Sequence, residues 1–351
     1  MREIFDEIHQ SLRNGQELAV ATIVSDSGST PRSSGSKMIV YPNGAISGTI
    51  GGGAVEGDVI QRALRRFEMQ GAEIVFYDLS RGARIDRMDL ICGGQIRVLI
   101  EHVPVHADNI DLYHAAQTEF KRSRSFLWIG IITGHSGQLQ VAHAIQKTPN
   151  EFVGPPNVKH ELQALIESDN QILNGSRFME AKGRSFVIES IQPPHTVFLF
   201  GAGHVSREFA ALSKSVGFRT IVIDDRAEFA NTDRFPDADE IRVCPKFAEV
   251  FKGVATSADD YIVIMTRGHR FDKEVLAQAL QTEAGYIGMI GSRRKRDTIY
   301  NELMKQGVHQ SALEQVCCPI GLAIDAETPA EIGVSIVAQL IQHRAERKRR
   351  E

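Results

Sequence analysis

Four cysteines in 351 residues (Cys92, Cys244, Cys317 and Cys318), with no C-x-x-C pair, support neither a disulfide scaffold nor a zinc ribbon. A reducing cytoplasm is the compartment that this usage suggests. No apolar run approaches the roughly 20 residues of a membrane helix. The opening MREIFDEIHQSL mixes acids with apolar residues where a signal peptide would build an apolar core. A basic excess is missing too: the formal net charge of −4 argues against a general nucleic-acid binder. What is present is an ordinary globular balance, 42% hydrophobic and 24% charged, over a length that suggests about two domains.

Periodicity sorts the chain into two regions. Ile4, Phe5, Ile8 and Leu12 stand at helical spacing, ELAVATIVSD (17–26) reads as a strand, and KMIVY and AISGTI flank the turn PNG as a hairpin. A helix after GTIGGGAVEG (48–57) carries Val55, Val59, Ala63 and Phe67 on one stripe. EIVFYDL, QIRVLIEHV, FLWIGIITG, QLQVAHAI and RSFVIESI are further strand candidates. IQPPHTV (191–197) reads as a linker, so one domain is expected over 1–193 and a second over 194–351. From 196 onward strands alternate with helices: TVFLF, FRTIVIDD, EIRVC, DYIVIMT and YIGMIG, with helices after the first, fourth and fifth. The expected fold is α/β in two domains, the second a Rossmann-like, doubly wound parallel sheet.

Several loops hold residues suited to an anion. In FLFGAGHVSREF, Gly201 and Gly203 take the tight-turn and close-approach positions of G-x-G-x-x-G, with Ser206 at the third glycine, so a diphosphate could rest on the helix start beside His204. Asp224 and Asp225 follow about 20 residues on, where a ribose-binding acid is expected. TRGHRFD places His269 and Asp272 after a strand end, as a catalytic or metal pair or, for Asp272, as a helix N-cap. IGSRRKRD puts Arg293, Arg294, Lys295 and Arg296 at a helix start, against the macrodipole, unless an anionic partner or solvent compensates. In the first domain, Gly51, Gly52 and Gly53 precede a helix without the lysine of a Walker A loop, and GSTPRSSGSK supplies Arg32 and Lys37 as a clamp for the same anion. LICGGQIRV sets Cys92 beside Gly93 and Gly94, either as an accessible soft ligand or nucleophile, or as an inert buried thiol.

Taken in order, GSTPRSSGSKM, GTIGGGAVE and LICGGQIRV, followed by FGAGHVS, VIDDR, YIGMIGSRRK and PIGLAIDAETPAEIGVSIVAQLI, resemble the XdhC/CoxI family over most of the chain. The departures are Ala326, where members often have glycine, and Gln339, where an acid is common. The resemblance implies an accessory factor of a xanthine dehydrogenase-type molybdenum hydroxylase. Such a factor binds the molybdenum cofactor, supports its sulfuration with a cysteine desulfurase as a further partner, and delivers it to the apoenzyme. It makes Cys92 the cofactor contact and candidate molybdenum contact; Arg32 and the glycine loops suit the pterin's phosphate, and the Rossmann domain would bind a nucleotide portion or shape the cleft. The competing expectations are an NAD(P)-dependent oxidoreductase with His269 or His204 as acid–base, and a non-catalytic assembly factor. The apolar stripe of Ile332, Ile336 and Leu340 suggests a homodimer, or else packing on its own sheet.

Overall fold

The computed structural model describes residues 1–79, 84–85, 88–89, 93–135, 138–168, 175–181 and 183–349. The chain divides into two compact units, Met1–Pro193 and Pro194–Glu351.

The first unit is built on one antiparallel sheet. Its elements are α1 (Arg2–Arg13), β1 (Leu18–Ser27), β2 (Lys37–Val40), β3 (Ile46–Gly48), α2 (Gly53–Met69), β4 (Ala72–Asp78), the short pair β5 (Arg84–Ile85) and β6 (Met88–Asp89), and β7 (Gln95–Val103). There follow α3 (Ala107–Lys121), β8 (Phe126–His135), β9 (Gln138–Gln146), β10 (Phe152–Val153), α4 (Lys159–Ser168), β11 (Ser176–Ala181) and β12 (Arg184–Ile191). The strand order is β11-β12-β8-β9-β4-β7-β1-β2-β3, with β10 on β9. FLWIGIITG, QLQVAHAI and RSFVIESI are strands of this same sheet, and the first two pair as a hairpin.

Alternation along the strands gives this sheet two apolar faces. α1 and α3 lay Phe5, Ile8, Leu12, Tyr113 and Phe120 over Leu18, Val20 and Trp128 on one face. α2 lays Val55, Val59 and Ala63 over Ala19, Ala21, Met38 and Val98 on the other, which is why its stripe runs at helical spacing. The sheet curls: Glu189 in β12, near one end of the strand order, forms an ion pair at 2.7 Å with Lys37 in β2, near the other.

The second unit has the elements β13 (Thr196–Phe200), α5 (His204–Ser215), β14 (Arg219–Asp224), β15 (Glu240–Val243), β16 (Tyr261–Ile264), α6 (His269–Ala279), β17 (Tyr286–Met289), α7 (Arg293–Lys305), α8 (Gln310–Leu313) and α9 (Pro329–Lys348). All strand pairs are parallel and the order is β15-β14-β13-β16-β17, so the strand sequence reverses direction between β13 and β16. α5 and α9 cover one face, and α6 and α7 the other. Ile336 and Leu340 are fully buried, with Ile332 packed beside them, in the core that α9 shares with Phe209 and Leu199 of its own unit. The stripe that suggested a dimer is thus satisfied within the unit.

Candidate functional site

In the first unit three sequence-distant loops meet. The chain leaves β1 through Gly28, returns to β2 past Pro31 and Arg32, and lies between the loop before α2 and the Gly93–Gly94 turn. The contact with Gly94 is backbone to backbone: a Cβ there would stand 2.5 Å from the Ser27 carbonyl oxygen and 2.6 Å from that of Ser29, so only glycine admits the approach. On the other flank Pro31 and Arg32 pack over Gly51. The Ser34 N–H donates to Asp26 Oδ1 at 2.8 Å and the Gly35 N–H to the Ile23 carbonyl at 2.8 Å, which pins the far end of the loop to β1.

The glycine loop already cradles one anion, and it belongs to the chain. Glu56 Oε2 accepts the N–H groups of Ile50 and Gly52 at 3.2 Å and the Thr49 hydroxyl at 2.6 Å, while the Gly51 N–H donates to Thr49 Oγ1 at 3.1 Å. This carboxylate, four residues past the Gly52 N-cap, reaches back to the helix start as the acid of a capping box does. Sequence reasoning passed over Glu56, although an acid in the first turns after a glycine loop is a legible signal. Open space remains over Gly52 and Gly53, where an added Cβ would meet nothing within 4 Å. Glu56→Ala is expected to cost about 1–2 kcal/mol by orphaning these donors and to speed amide exchange at Ile50 and Gly52. Unchanged exchange at both would show that water holds the loop equally well.

Arg32 is exposed and its guanidinium has no hydrogen bond or ion pair among the described residues. The proposed clamp of Arg32 with Lys37 does not form, because Lys37 is buried and committed to Glu189 and to Thr22 Oγ1. Cys92 lies outside the described residues. Gly93 and Gly94, which follow it, are tied to Leu79 by two 2.8 Å backbone bonds.

In the second unit, helices α5, α6 and α7 each follow a parallel strand (β13, β16 and β17), so their N-termini line the carboxyl edge of the sheet. Their first residues are His204, His269 and Arg293, all exposed. Gly201 has φ +103° and touches the β16 backbone at Met265, while Gly203 is the α5 N-cap with open space above it. Ser206 is buried on the inner side of α5.

The two acids after β14 differ. Asp224 is 1% exposed, and its carboxylate accepts the Ala202 N–H at 2.7 Å together with three bonds from Arg226. Burial pushes this carboxyl up, but the Arg226 guanidinium and the two backbone donors hold it below the usual carboxylate range. Asp225 stands nearer solvent, paired with Arg267 at 2.6 Å and with Arg226 at 3.6 Å.

His269 and Asp272 do not form a pair. Gly268, not Asp272, is the α6 N-cap. Asp272 is fully buried, accepts the Thr266 N–H at 3.0 Å and the Thr266 hydroxyl, and forms an ion pair with Lys295. Burial pushes its carboxyl up against the pull of Lys295 and Thr266. The basic run therefore splits: Lys295 serves Asp272, and Arg296 pairs with Asp297 and donates to the Cys318 carbonyl. Arg293 and Arg294 have no side-chain partner among the described residues. Burial raises both the Cys317 and Cys318 thiols, Cys318 to about 11, so neither is a ready thiolate. Gln339 Oε1 accepts the Gly321 N–H and the Tyr286 hydroxyl, each at 2.7 Å. Among the described residues no group of three or more His, Cys, Asp or Glu is placed to hold a metal, and no helix is long and apolar enough to cross a membrane.

Two family models match the chain, one within each unit. A model described as the XdhC and CoxI family matches residues 11–78, and one described as the XdhC Rossmann domain matches residues 197–340. The chain is 27% identical to a Bacillus subtilis (strain 168) protein named as a probable xanthine dehydrogenase subunit, covering 95% of each. It is 24% identical to the uncharacterized protein YqeB of Escherichia coli (strain K12), over 97% of this chain, and spans about half the length of that relative (46%). A crystal structure described as a xanthine dehydrogenase from Bacillus halodurans superposes with a TM-score of 0.80 at 28% identity, covering 98% of this chain and 96% of that one. With a family model matched in each unit and the fold shared, this chain belongs to the XdhC and CoxI family.

Proposed function

We propose that this chain is an accessory factor that binds the molybdenum cofactor and delivers it to a xanthine dehydrogenase-type hydroxylase, supporting that enzyme's maturation. The observation that carries the reading is the meeting of the Arg32, Gly51–Gly53 and Gly93–Gly94 loops at one place in the first unit. The Bacillus subtilis relative, by its name part of a xanthine dehydrogenase, supports a partner of that kind.

The residues fit such a group in kind. The cofactor carries a phosphate, and Arg32 is an exposed cation with no internal partner among the described residues. Gly52 and Gly53 leave room for a bulky group against the start of α2. Glu56 keeps the loop in that shape from within, and Cys92 would add a soft thiolate contact. Once installed in the hydroxylase, the cofactor supplies the molybdenum centre of that enzyme; this chain's own part is to hold, shield and release it. A cysteine desulfurase is the expected source of sulfur. The carboxyl edge of the second unit, with Gly203, His204, His269, Arg293 and Arg294, suits a phosphate or nucleotide, with Asp225 as the acid nearer solvent.

The test is direct. Full chain made in a host that produces the cofactor, and purified without air, is expected to retain molybdenum by metal analysis and pterin by fluorescence. Cys92→Ser should retain both at least about ten-fold less, a loss of about 1.4 kcal/mol in binding. Equal retention by the variant removes Cys92 from the site, and wild-type protein without either component overturns the reading. Thermal stabilisation by NAD(H) or NADP(H) would favour the oxidoreductase reading in its place.

A further inference from the structure

We propose that Glu189 recognises the 2-amino-4-oxopyrimidine edge of the pterin, making a ring-binding subsite beside Arg32. The identity of the ring rests on the function proposed above; the subsite rests on the geometry alone.

A cavity of about 620 Å³ opens in the first unit, lined by Arg32, Gly35, Lys37, Thr49, Ser176 and Glu189 among others. Its volume falls within the usual range of small-molecule sites, roughly 300–1,000 Å³. Glu189 is 3% exposed and half used: Oε2 takes the Lys37 ammonium at 2.7 Å, while Oε1 has no hydrogen-bond partner among the described residues. Directly across the β11–β12 ladder, the Ser176 hydroxyl is also buried and unpartnered. The carboxylate lies beside Gly35, where an added Cβ would come into ordinary contact with Oε1 at 3.4 Å.

A buried carboxylate oxygen without a donor is costly, and such an oxygen is kept where a bound ligand or an ordered water donates a hydrogen bond to it. The occupant must therefore bring an N–H to Oε1, lie flat enough for a cleft between strand and loop, and offer an anion to Arg32. The 2-amino-4-oxopyrimidine edge, with its exocyclic amine beside a ring N–H, meets the first two demands, and an attached phosphate or carboxylate meets the third. Pterins and guanine share this edge, so the shared chemistry is what Glu189 reads. A site that accepts from N–H discriminates strongly against an analogue that offers a carbonyl there, because acceptor then faces acceptor.

Binding of pterin-6-carboxylate to the purified full chain, followed by its fluorescence, is expected to be at least about ten-fold tighter than binding of lumazine-6-carboxylate, in which a carbonyl replaces the 2-amine. This comparison needs no variant. Glu189→Gln, with its fold checked by circular dichroism and melting temperature, should erase or invert the preference. Tighter binding of guanosine monophosphate than of pterin-6-carboxylate assigns the edge to a guanine base, and weaker binding assigns it to the pterin. Equal binding of pterin and lumazine, no binding of either, or an undiminished preference in Glu189→Gln overturns the subsite. Retained molybdenum with no ring preference would overturn the subsite and leave the carrier function standing. A clear preference in protein that retains no molybdenum would do the reverse.

Discussion

Gly201→Ala is expected to destabilise the parallel-sheet unit by about 3 kcal/mol or more, from left-handed backbone strain of about 1–2 kcal/mol and overpacking of about 1–3 kcal/mol. Gly201 sits at φ +103°, and a Cβ would stand 2.1 Å from the Met265 carbonyl oxygen and 2.9 Å from Thr266 Cα. That neighbour cannot give way cheaply. It continues β16, which lies between β13 and β17, and the Met265 N–H donates to the Phe200 carbonyl at 2.7 Å. On the other side the Gly201 N–H is held by the Ile223 carbonyl at 2.8 Å. At about 2–4 °C per kcal/mol, the melting temperature of the unit should fall by roughly 6–12 °C, with faster amide exchange at Gly201 and Met265. A variant that melts with the wild type would show that β13 and β16 can separate here at little cost. Gly203→Ala is the contrast: it meets nothing within 4 Å and has ordinary negative φ, so it should leave stability nearly unchanged.

Lys37→Met should have an effect of similar size in the first unit, about 3–5 kcal/mol, because it leaves the buried Glu189 carboxylate without its counter-ion. The side chains of the pair are 6% and 4% exposed, and Thr22 is the other partner of the ammonium. By contrast, the Asp58–Arg62 pair on α2 has the same 2.7 Å separation but side chains 23% and 31% exposed, and its loss should cost about 0–1 kcal/mol. The desolvation of the charge left behind, not the distance, sets the difference. In urea melts Lys37→Met should lose most of its midpoint, and adding Glu189→Leu should recover much of it, since the double variant buries no lone charge. If the double variant is no more stable than the single, the cost lies in packing around Lys37 and not in its charge.

The local elements were legible because their signals are local. Helical spacing of Val55, Val59 and Ala63 marks the buried face of α2, and the repeated strand–helix alternation after Thr196 needs only short-range pattern to read as a parallel sheet. Site chemistry was legible as residue types gathered in loops, less so as partners. The sequence shows two acids after β14, but only packing decides that Asp224 turns inward to the Ala202 N–H while Asp225, half-buried, pairs with Arg267. Four cations open α7, and only the burial of Asp272 draws Lys295 out of the set and leaves Arg293 and Arg294 free of side-chain partners among the described residues. Ile332, Ile336 and Leu340 read as a stripe seeking a surface, and nothing in their spacing says that the surface is their own unit.

By itself, then, the sequence determined the parallel α/β fold of the second unit, the family, and the glycine, arginine and cysteine motifs from which a site could be built. These depend on periodicity and on backbone freedom at single residues, properties written within a few positions of one another. Tertiary structure decided which charges are spent. It set Glu56 within the glycine loop, closed Lys37 onto a carboxylate 152 residues away, and left one oxygen of that cavity-lining carboxylate without a donor among the described residues. The physical reason is desolvation: whether a charged group is a structural partner or an open ligand site depends on what else folding brings to the same buried place, and local pattern carries no record of that.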